Sequence, residues 1–189
     1  MNIWHGIPEH MITSESFTVV IEIPKGGKAK YELDKETGML RLDRVLYTAT
    51  HYPANYGFIP RTYADDGDPL DVLVLCQESI VPMTLVQCYP IGVVHMTDED
   101  SDDEKIIAVP FQDPSLSCYA DISQLPAHTL DEIKHFFQVY KTLEGKHTAV
   151  NEIHGNIKAY KIIEESIENY KHTFEDGKKR SGLFSERKK

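Results

Sequence analysis

Three carboxylates fall within six residues at Asp66-Gly67-Asp68-Pro69-Leu70-Asp71, and a second acidic run spans Asp98 to Glu104. Carboxylates packed this closely repel one another and require a counterion. An all-oxygen donor set suits a hard divalent cation such as Mg²⁺. The Gly-Asp-Pro turn fixes where the carboxylates point, and the apolar run Val72-Leu73-Val74-Leu75 anchors that turn in a core. Neither run is a calcium loop of the EF-hand type. The twelfth position, counted from Asp66 or from Asp98, is Gln77 or Val109 rather than a bidentate Glu. Together the runs offer Asp66, Asp68, Asp71, Asp98, Glu99 and Asp103. One structural ion needs fewer charges than this. The surplus points to two or more Mg²⁺ ions, an arrangement that holds a water and a phosphoryl oxygen together.

Cations and phenols are scattered around these anions. Lys30 and Glu32 flank Tyr31, Arg44 follows Asp43, and Tyr52 and Tyr56 bracket Pro53-Ala54-Asn55. Lys105 closes the second acidic run, and Tyr140-Lys141 lies further on. Each of these residues alone is ordinary: Lys and Arg belong on solvated faces, Tyr packs with a wet hydroxyl, and acidic turns are commonly just solvated. The combination of Lys, Arg, Tyr and a hard cation is what a phosphate-rich substrate needs.

The segments that must position these groups read as strands first and helices later. Phe17 to Ile23 is β-rich and stops at Pro24-Lys25-Gly26-Gly27. Lys30 to Leu33 and Met39 to Val45 read as a hairpin around Asp34 to Gly38. Asp71 to Cys76, Thr84 to Tyr89, Gly92 to Met96 and Lys105 to Val109 complete a set of short strands, which predicts a closed or nearly closed antiparallel barrel. The period then changes. Leu130, Ile133, Phe136, Phe137, Tyr140 and Leu143 recur at helical spacing, with Thr129 and Glu132 as a capping-box pair and Gly145 as a stop. A second helix is expected over about 157–170, with Tyr160, Ile163, Ile167 and Tyr170 on one face. The fold class is α+β: one domain over 1–172, then a basic, polar tail over 173–189 that lacks periodicity and is expected to be mobile.

Bulk properties narrow the function classes. With 189 residues, 41% hydrophobic and 26% charged, the chain has material for one sizeable core. A net charge of −10 argues against a general nucleic-acid binder, but not against an anionic substrate, because bound cations and local Lys or Arg invert the field inside a cleft. Cys76, Cys88 and Cys118 are widely spaced and odd in number, so neither a disulfide framework nor a zinc ribbon is expected. Cys76 and Cys88 read as buried thiols. The nine histidines form no zinc motif. His147 and His154 are expected in loops and His135 on the first long helix. No signal peptide or membrane span is read in the chain, so a cytoplasmic location is the default expectation.

Taken in order, the motifs resemble those of the family I soluble inorganic pyrophosphatases of the bacterial type. They are Ile21-Glu22-Ile23-Pro24, Lys30-Tyr31-Glu32, Leu42-Asp43-Arg44, Tyr52-Pro53-Ala54-Asn55-Tyr56-Gly57-Phe58-Ile59-Pro60, Asp66-Gly67-Asp68-Pro69-Leu70-Asp71-Val72, Met96-Thr97-Asp98-Glu99 with Asp103 and Lys105, and Phe136-Phe137 with Tyr140-Lys141. The resemblance implies an OB-like five-stranded antiparallel β-barrel with additional hairpins and two main C-terminal helices. It implies hydrolysis of pyrophosphate to two phosphates by in-line attack of a metal-activated water, with several Mg²⁺ ions per site that Mn²⁺ or Zn²⁺ can replace. It assigns Asp66, Asp71, Asp98 and Asp103 to the metals and Asp68 to the water's proton. Lys30, Arg44, Tyr56, Lys105, Tyr140 and Lys141 go to the phosphates, and Glu22, Glu32, Glu99 and Tyr52 to the surroundings. A homohexamer built through the face that includes His135 is implied as well, although Val139 stands where some relatives carry a second His, and His147 where many carry Trp.

Two rival readings remain at this point. One is a metal-dependent hydrolase of nucleotides or other phosphoesters; for nucleotides a Gly-rich phosphate loop would be expected, which is not found here. The other is a non-catalytic OB-type module that binds nucleic acid or a protein partner; a nucleic-acid groove would be basic rather than carry this acidic set.

Overall fold

The structure is a computed structural model that describes residues 2–99 and 101–175. Eight strands carry the site: β1 (Phe17–Ile23), β2 (Ala29–Leu33), β3 (Leu40–Val45), β4 (Asn55–Phe58), β5 (Asp71–Val74), β6 (Leu85–Asp98), β7 (Ser101–Pro110) and β8 (Thr148–Gly155). A short helix α1 (Ile3–Gly6) precedes them, and the long helices are α2 (Ala127–Val139) and α3 (Asn156–Tyr170).

Strands β1, β4, β5, β7 and β6 neighbour one another in that order, and β6 pairs back onto β1, so five strands close into a ring. The expected barrel is therefore present, but it is not all antiparallel: β5 and β7 run parallel. Parity requires this. Directions that alternate around a ring cannot close on an odd number of strands, so one pairing among five must be parallel. Strand β6 makes the closure possible by its length. Its first residues pair with β1 and its later residues with β7 and, on the outer edge, β8.

Several boundaries differ from the sequence expectation. Thr84–Tyr89 and Gly92–Met96 belong to the single strand β6, which tolerates Pro90 because the ladder skips a residue between Pro90 and Gly92. Helix α2 starts at Ala127 after Pro126 with no side-chain cap, so Thr129 and Glu132 do not cap it. His154 lies in β8 rather than in a loop. Cys88 is buried, Cys76 is only half-buried, and both are free thiols. Of the expected tail, Thr173 to Glu175 continue α3 as a π turn in which Phe174 packs on Trp4 and Tyr63. Residues 176–189 lie outside the described residues.

Successive strand residues divide between two apolar clusters, as the period of two requires. Leu73 of β5, Ile107 of β7 and Met96 of β6 pack beneath α2 with Ile133, Phe136 and Phe137. Val72 and Ile106, each one residue away, and Val93, three residues before Met96, pack beneath α3 with Ile162 and Ile163. Among the described residues, no helix is long and apolar enough to cross a membrane.

Candidate active site

The alternation that builds the core under α2 also builds the site. Two residues before Leu73 stands Asp71. Two and four before Ile107 stand Lys105 and Asp103, and two after Met96 stands Asp98. Each row of core-facing positions thus runs on past the edge of the apolar cluster and ends in charged groups on the same face. Lys105 lies directly opposite Asp71 in the parallel β5–β7 pair, and Tyr56 faces Leu73 on β4.

These groups line one cleft of about 630 Å³. Its wall includes Glu22, Lys30, Glu32, Tyr52, Tyr56, Asp66, Asp68, Asp71, Asp98, Asp103, Lys105, Tyr140 and Lys141. Arg44 and Glu99 are not part of that wall. Arg44 is directly opposite Lys30 in the β2–β3 hairpin and is bound to Asp43 at 2.6 Å and to Glu144 at 2.9 Å. Glu99 is exposed and pairs with Lys146.

Lys105 is the electrostatic centre. Only 4% of its side chain is exposed, and its ammonium donates to Tyr56 Oη at 3.1 Å, Asp71 Oδ2 at 2.7 Å and Asp103 Oδ1 at 3.0 Å. Three donors thus meet three acceptors. Burial works against the charge, but Asp71, Tyr56 and Asp103 outweigh it and hold the Lys105 pKa well above the ordinary value. Tyr56 also donates to Asp71. Burial pushes the phenols of Tyr52, Tyr56 and Tyr140 well up, so they remain O–H donors.

Local backbone geometry aims the remaining carboxylates. Glu22 is the extra residue of a β1 bulge between Ile21, opposite Gly57, and Ile23, opposite Tyr56. It points into the cleft and accepts the Leu33 N–H at 2.7 Å. Burial, followed by the Asp71 charge, pushes its pKa up to about 8. The acidic turn closes through Gly67 at φ +83°, a conformation that costs glycine little. Asp66 Oδ1 accepts the Asp68 N–H at 2.9 Å, which turns Asp68 outward, where half of its side chain is exposed. Thr62, fully buried, pins the stem of the turn by accepting the Leu70 N–H at 2.8 Å.

Three residues escaped the sequence reading. Lys35 lines the cleft and pairs with Asp68, Asp43 links Lys30 to Arg44, and Glu144 holds Arg44 from beyond α2. Asp43 and Glu144 form pairs that obey no short-range period, and Lys35 looked like ordinary turn polarity.

The donor chemistry fits hard divalent cations. The aspartates supply oxygen only, and along the wall carboxylates outnumber ammonium and guanidinium groups nine to five. Asp98 Oδ1 and Arg44 Nη2 are buried without a protein partner, one suited to a cation and the other to an anion. Among the described residues, no three His, Cys, Asp or Glu side chains are already grouped to hold an ion. Lysine ammonium groups stand among them instead: Lys105 at Asp71 and Asp103, Lys141 at Asp98, Lys35 at Asp68 and Lys30 at Glu32.

Known proteins resemble this chain in sequence and in fold. The family profile described as inorganic pyrophosphatase matches residues 19–171. The inorganic pyrophosphatase of Aquifex pyrophilus is 51% identical over 171 residues, covering 89% of this chain and 97% of that protein. Among solved structures, the inorganic pyrophosphatase of Helicobacter pylori superposes with a TM-score of 0.81 at 48% identity, covering 84% of this chain and 95% of that one. The Thermus thermophilus inorganic pyrophosphatase gives a TM-score of 0.86 at 38% identity, with 90% and 99% covered. The chain belongs to the inorganic pyrophosphatase family.

Proposed function

We propose that this chain is an enzyme that hydrolyses inorganic pyrophosphate to two phosphates in the cleft beneath α2, with Mg²⁺ as its divalent cation and with Mn²⁺ or Zn²⁺ able to substitute. The observation that carries the reading is the row of aspartates on β5, β6 and β7 interleaved with buried Lys105 and Tyr56 on one face. The names of the relatives support the substrate.

Asp66, Asp71, Asp98 and Asp103 would hold the cations. When bound, divalent cations neutralise phosphate charge and make water more acidic. The chain's own groups do the rest. Lys30 and Arg44 share Asp43, Lys105 is bound to Asp71 and Asp103, and Lys141 to Asp98; each donor that exchanges its carboxylate for a phosphate oxygen helps to neutralise the substrate. Tyr56 and Tyr140 donate O–H bonds to phosphate oxygens, because burial keeps them protonated. Asp68 stands at the wet edge of the cleft, takes the proton of the attacking water and passes it to solvent. Attack in line on one phosphorus breaks its bond to the bridging oxygen, and the second phosphate leaves, neutralised by the cations of the opposite wall. Glu22 and Glu32 act through intervening water, and Tyr52 supports Tyr56 by ring contact at 5.3 Å. A cytoplasmic homohexamer that binds neither nucleic acid nor membrane completes the reading. His135 is exposed on α2, where an interface could use it.

Phosphate release is the test. The chain should release phosphate from pyrophosphate with Mg²⁺, and should be silent with EDTA or with ATP in place of pyrophosphate. Silence under every condition would remove the enzyme reading.

A further inference from the structure

Lys35 sits in the turn of the β2–β3 hairpin, and its ammonium meets four things at once. It pairs with Asp68 Oδ1, reaches Gly67 O at 3.4 Å, lines the cleft, and lies 5.5 Å from the centroid of the Trp4 ring. Its backbone carbonyl accepts a bond from Asn2 Nδ2 at 2.7 Å. Trp4 in turn grips the stem of the acidic turn. Its indole N–H donates to Thr62 O at 2.9 Å, its carbonyl accepts the Arg61 N–H at 2.9 Å, and its ring stacks on Tyr63 at 6.3 Å. Trp4 is 4% exposed. One buried indole therefore serves as a common platform for the hairpin tip and for the turn that presents Asp68.

An ordinary half-exposed ion pair contributes little, because two long side chains must be frozen to make it. Here the freezing is done by other contacts: the aromatic face holds the ammonium and the Asn2 bond holds the Lys35 backbone. We propose that Lys35 is a positioning residue for Asp68. Clamped on the Trp4 platform, it fixes Asp68 through Oδ1 and leaves Oδ2 to take the proton of the attacking water. The N-terminal segment, remote in sequence from every site motif, thereby becomes part of the catalytic geometry. This inference rests on the reading of Asp68 as proton acceptor in pyrophosphate hydrolysis.

The test uses the full chain as wild type, Lys35→Met and Lys35→Arg, with pyrophosphate and Mg²⁺. Misplacing a catalytic group by about 1 Å costs on the order of a hundredfold in rate, so Lys35→Met should lower kcat by roughly tenfold to a hundredfold. KM should move less than about threefold, since Lys35 acts on Asp68 and not on substrate. Lys35→Arg should recover most of the rate. Trp4 is the only tryptophan, so its emission reports the platform independently of turnover, and it should shift in Lys35→Met and not in Lys35→Arg. Wild-type kcat in Lys35→Met overturns the proposal, as does a raised KM with kcat unchanged, which would make Lys35 a substrate contact. A loss of rate that Lys35→Arg does not recover, accompanied by a lowered Tm in both variants, also overturns it. If wild type itself releases no phosphate from pyrophosphate, the parent reading fails and the positioning role fails with it. If wild type is active and Lys35→Met matches it, only the positioning role fails.

Discussion

On the barrel wall of the cleft, the Lys105 ammonium is enclosed by Tyr56, Asp71 and Asp103, which stand on strands hydrogen-bonded along both edges. On the hairpin wall, the Lys30 ammonium leans on Glu32 and Asp43 from a two-stranded sheet, and no ladder among the described residues joins it to the ring. Both walls pair lysine with carboxylate, yet the energetics differ. Removing one partner of a buried pair leaves an uncompensated charge away from water, whereas a half-exposed pair is screened and replaced by hydration. The barrel wall is therefore built for position. Away from the tip that Lys35 clamps, the hairpin wall is held by single bonds such as Leu33 N–H to Glu22 and can follow the substrate.

The largest effect should come from Lys105→Met. It leaves Asp71 and Asp103 facing a low-dielectric wall without their cation, and should cost about 3–5 kcal/mol of stability in chemical denaturation without added metal. A cost below about 1 kcal/mol would mean that the two walls do not differ.

Glu22 stands between the walls, and its raised pKa makes the contrast pH-dependent. Between its ordinary value of 4.5 and about 8, the folded chain keeps a proton on Glu22 that the unfolded chain has lost. Stability therefore falls as pH rises through that window. Glu22→Gln keeps an oxygen for the Leu33 N–H and removes the titration. In EDTA it should match wild type near pH 4.5 and exceed its stability by about 4 kcal/mol near pH 8. Parallel stability curves for the two proteins would place Glu22 in water rather than in the wall.

The smallest structural effect belongs to Lys30→Met. Its pairs with Glu32 and Asp43 are partly exposed, so stability should change by less than about 1 kcal/mol. KM for pyrophosphate should rise about tenfold if Lys30 is the phosphate-binding cation proposed above. A large stability loss with KM unchanged would make the hairpin a structural wall like the other.

The same division explains what could be read from the chain before its structure. Strands β1 and β5 announced themselves through runs of Val with Ile or Leu that pack on both faces. Strand β4 did not, because Asn55 to Phe58 reads as turn chemistry. Gly57 is there because a Cβ would stand 1.9 Å from Val20 O, a close approach visible only once β1 and β4 are paired. Strand β8 is half polar along its length, so it lacks a clean apolar run. The aspartates of the barrel wall were legible because they crowd into two acidic runs, the first leading straight into an apolar strand. The hairpin's partners were less so. Arg44 reads as a phosphate-binding group from its motif, but the structure turns it toward Glu144, a hundred residues away, and out of the cleft wall. Lys35 carries no motif, and its meaning comes from Trp4, which meets it only after folding.

The most direct test concerns the one carboxylate at the edge of both walls. Asp68→Asn should bind Mg²⁺ in calorimetry nearly as wild type does, since the aspartates assigned to metal are untouched. Turnover of pyrophosphate should fall by about 10²–10³-fold, because the proposed proton acceptor is gone. Wild-type kcat in Asp68→Asn would contradict the account. So would a loss of Mg²⁺ binding that accounts for the whole loss of rate, because Asp68 would then be one more metal ligand.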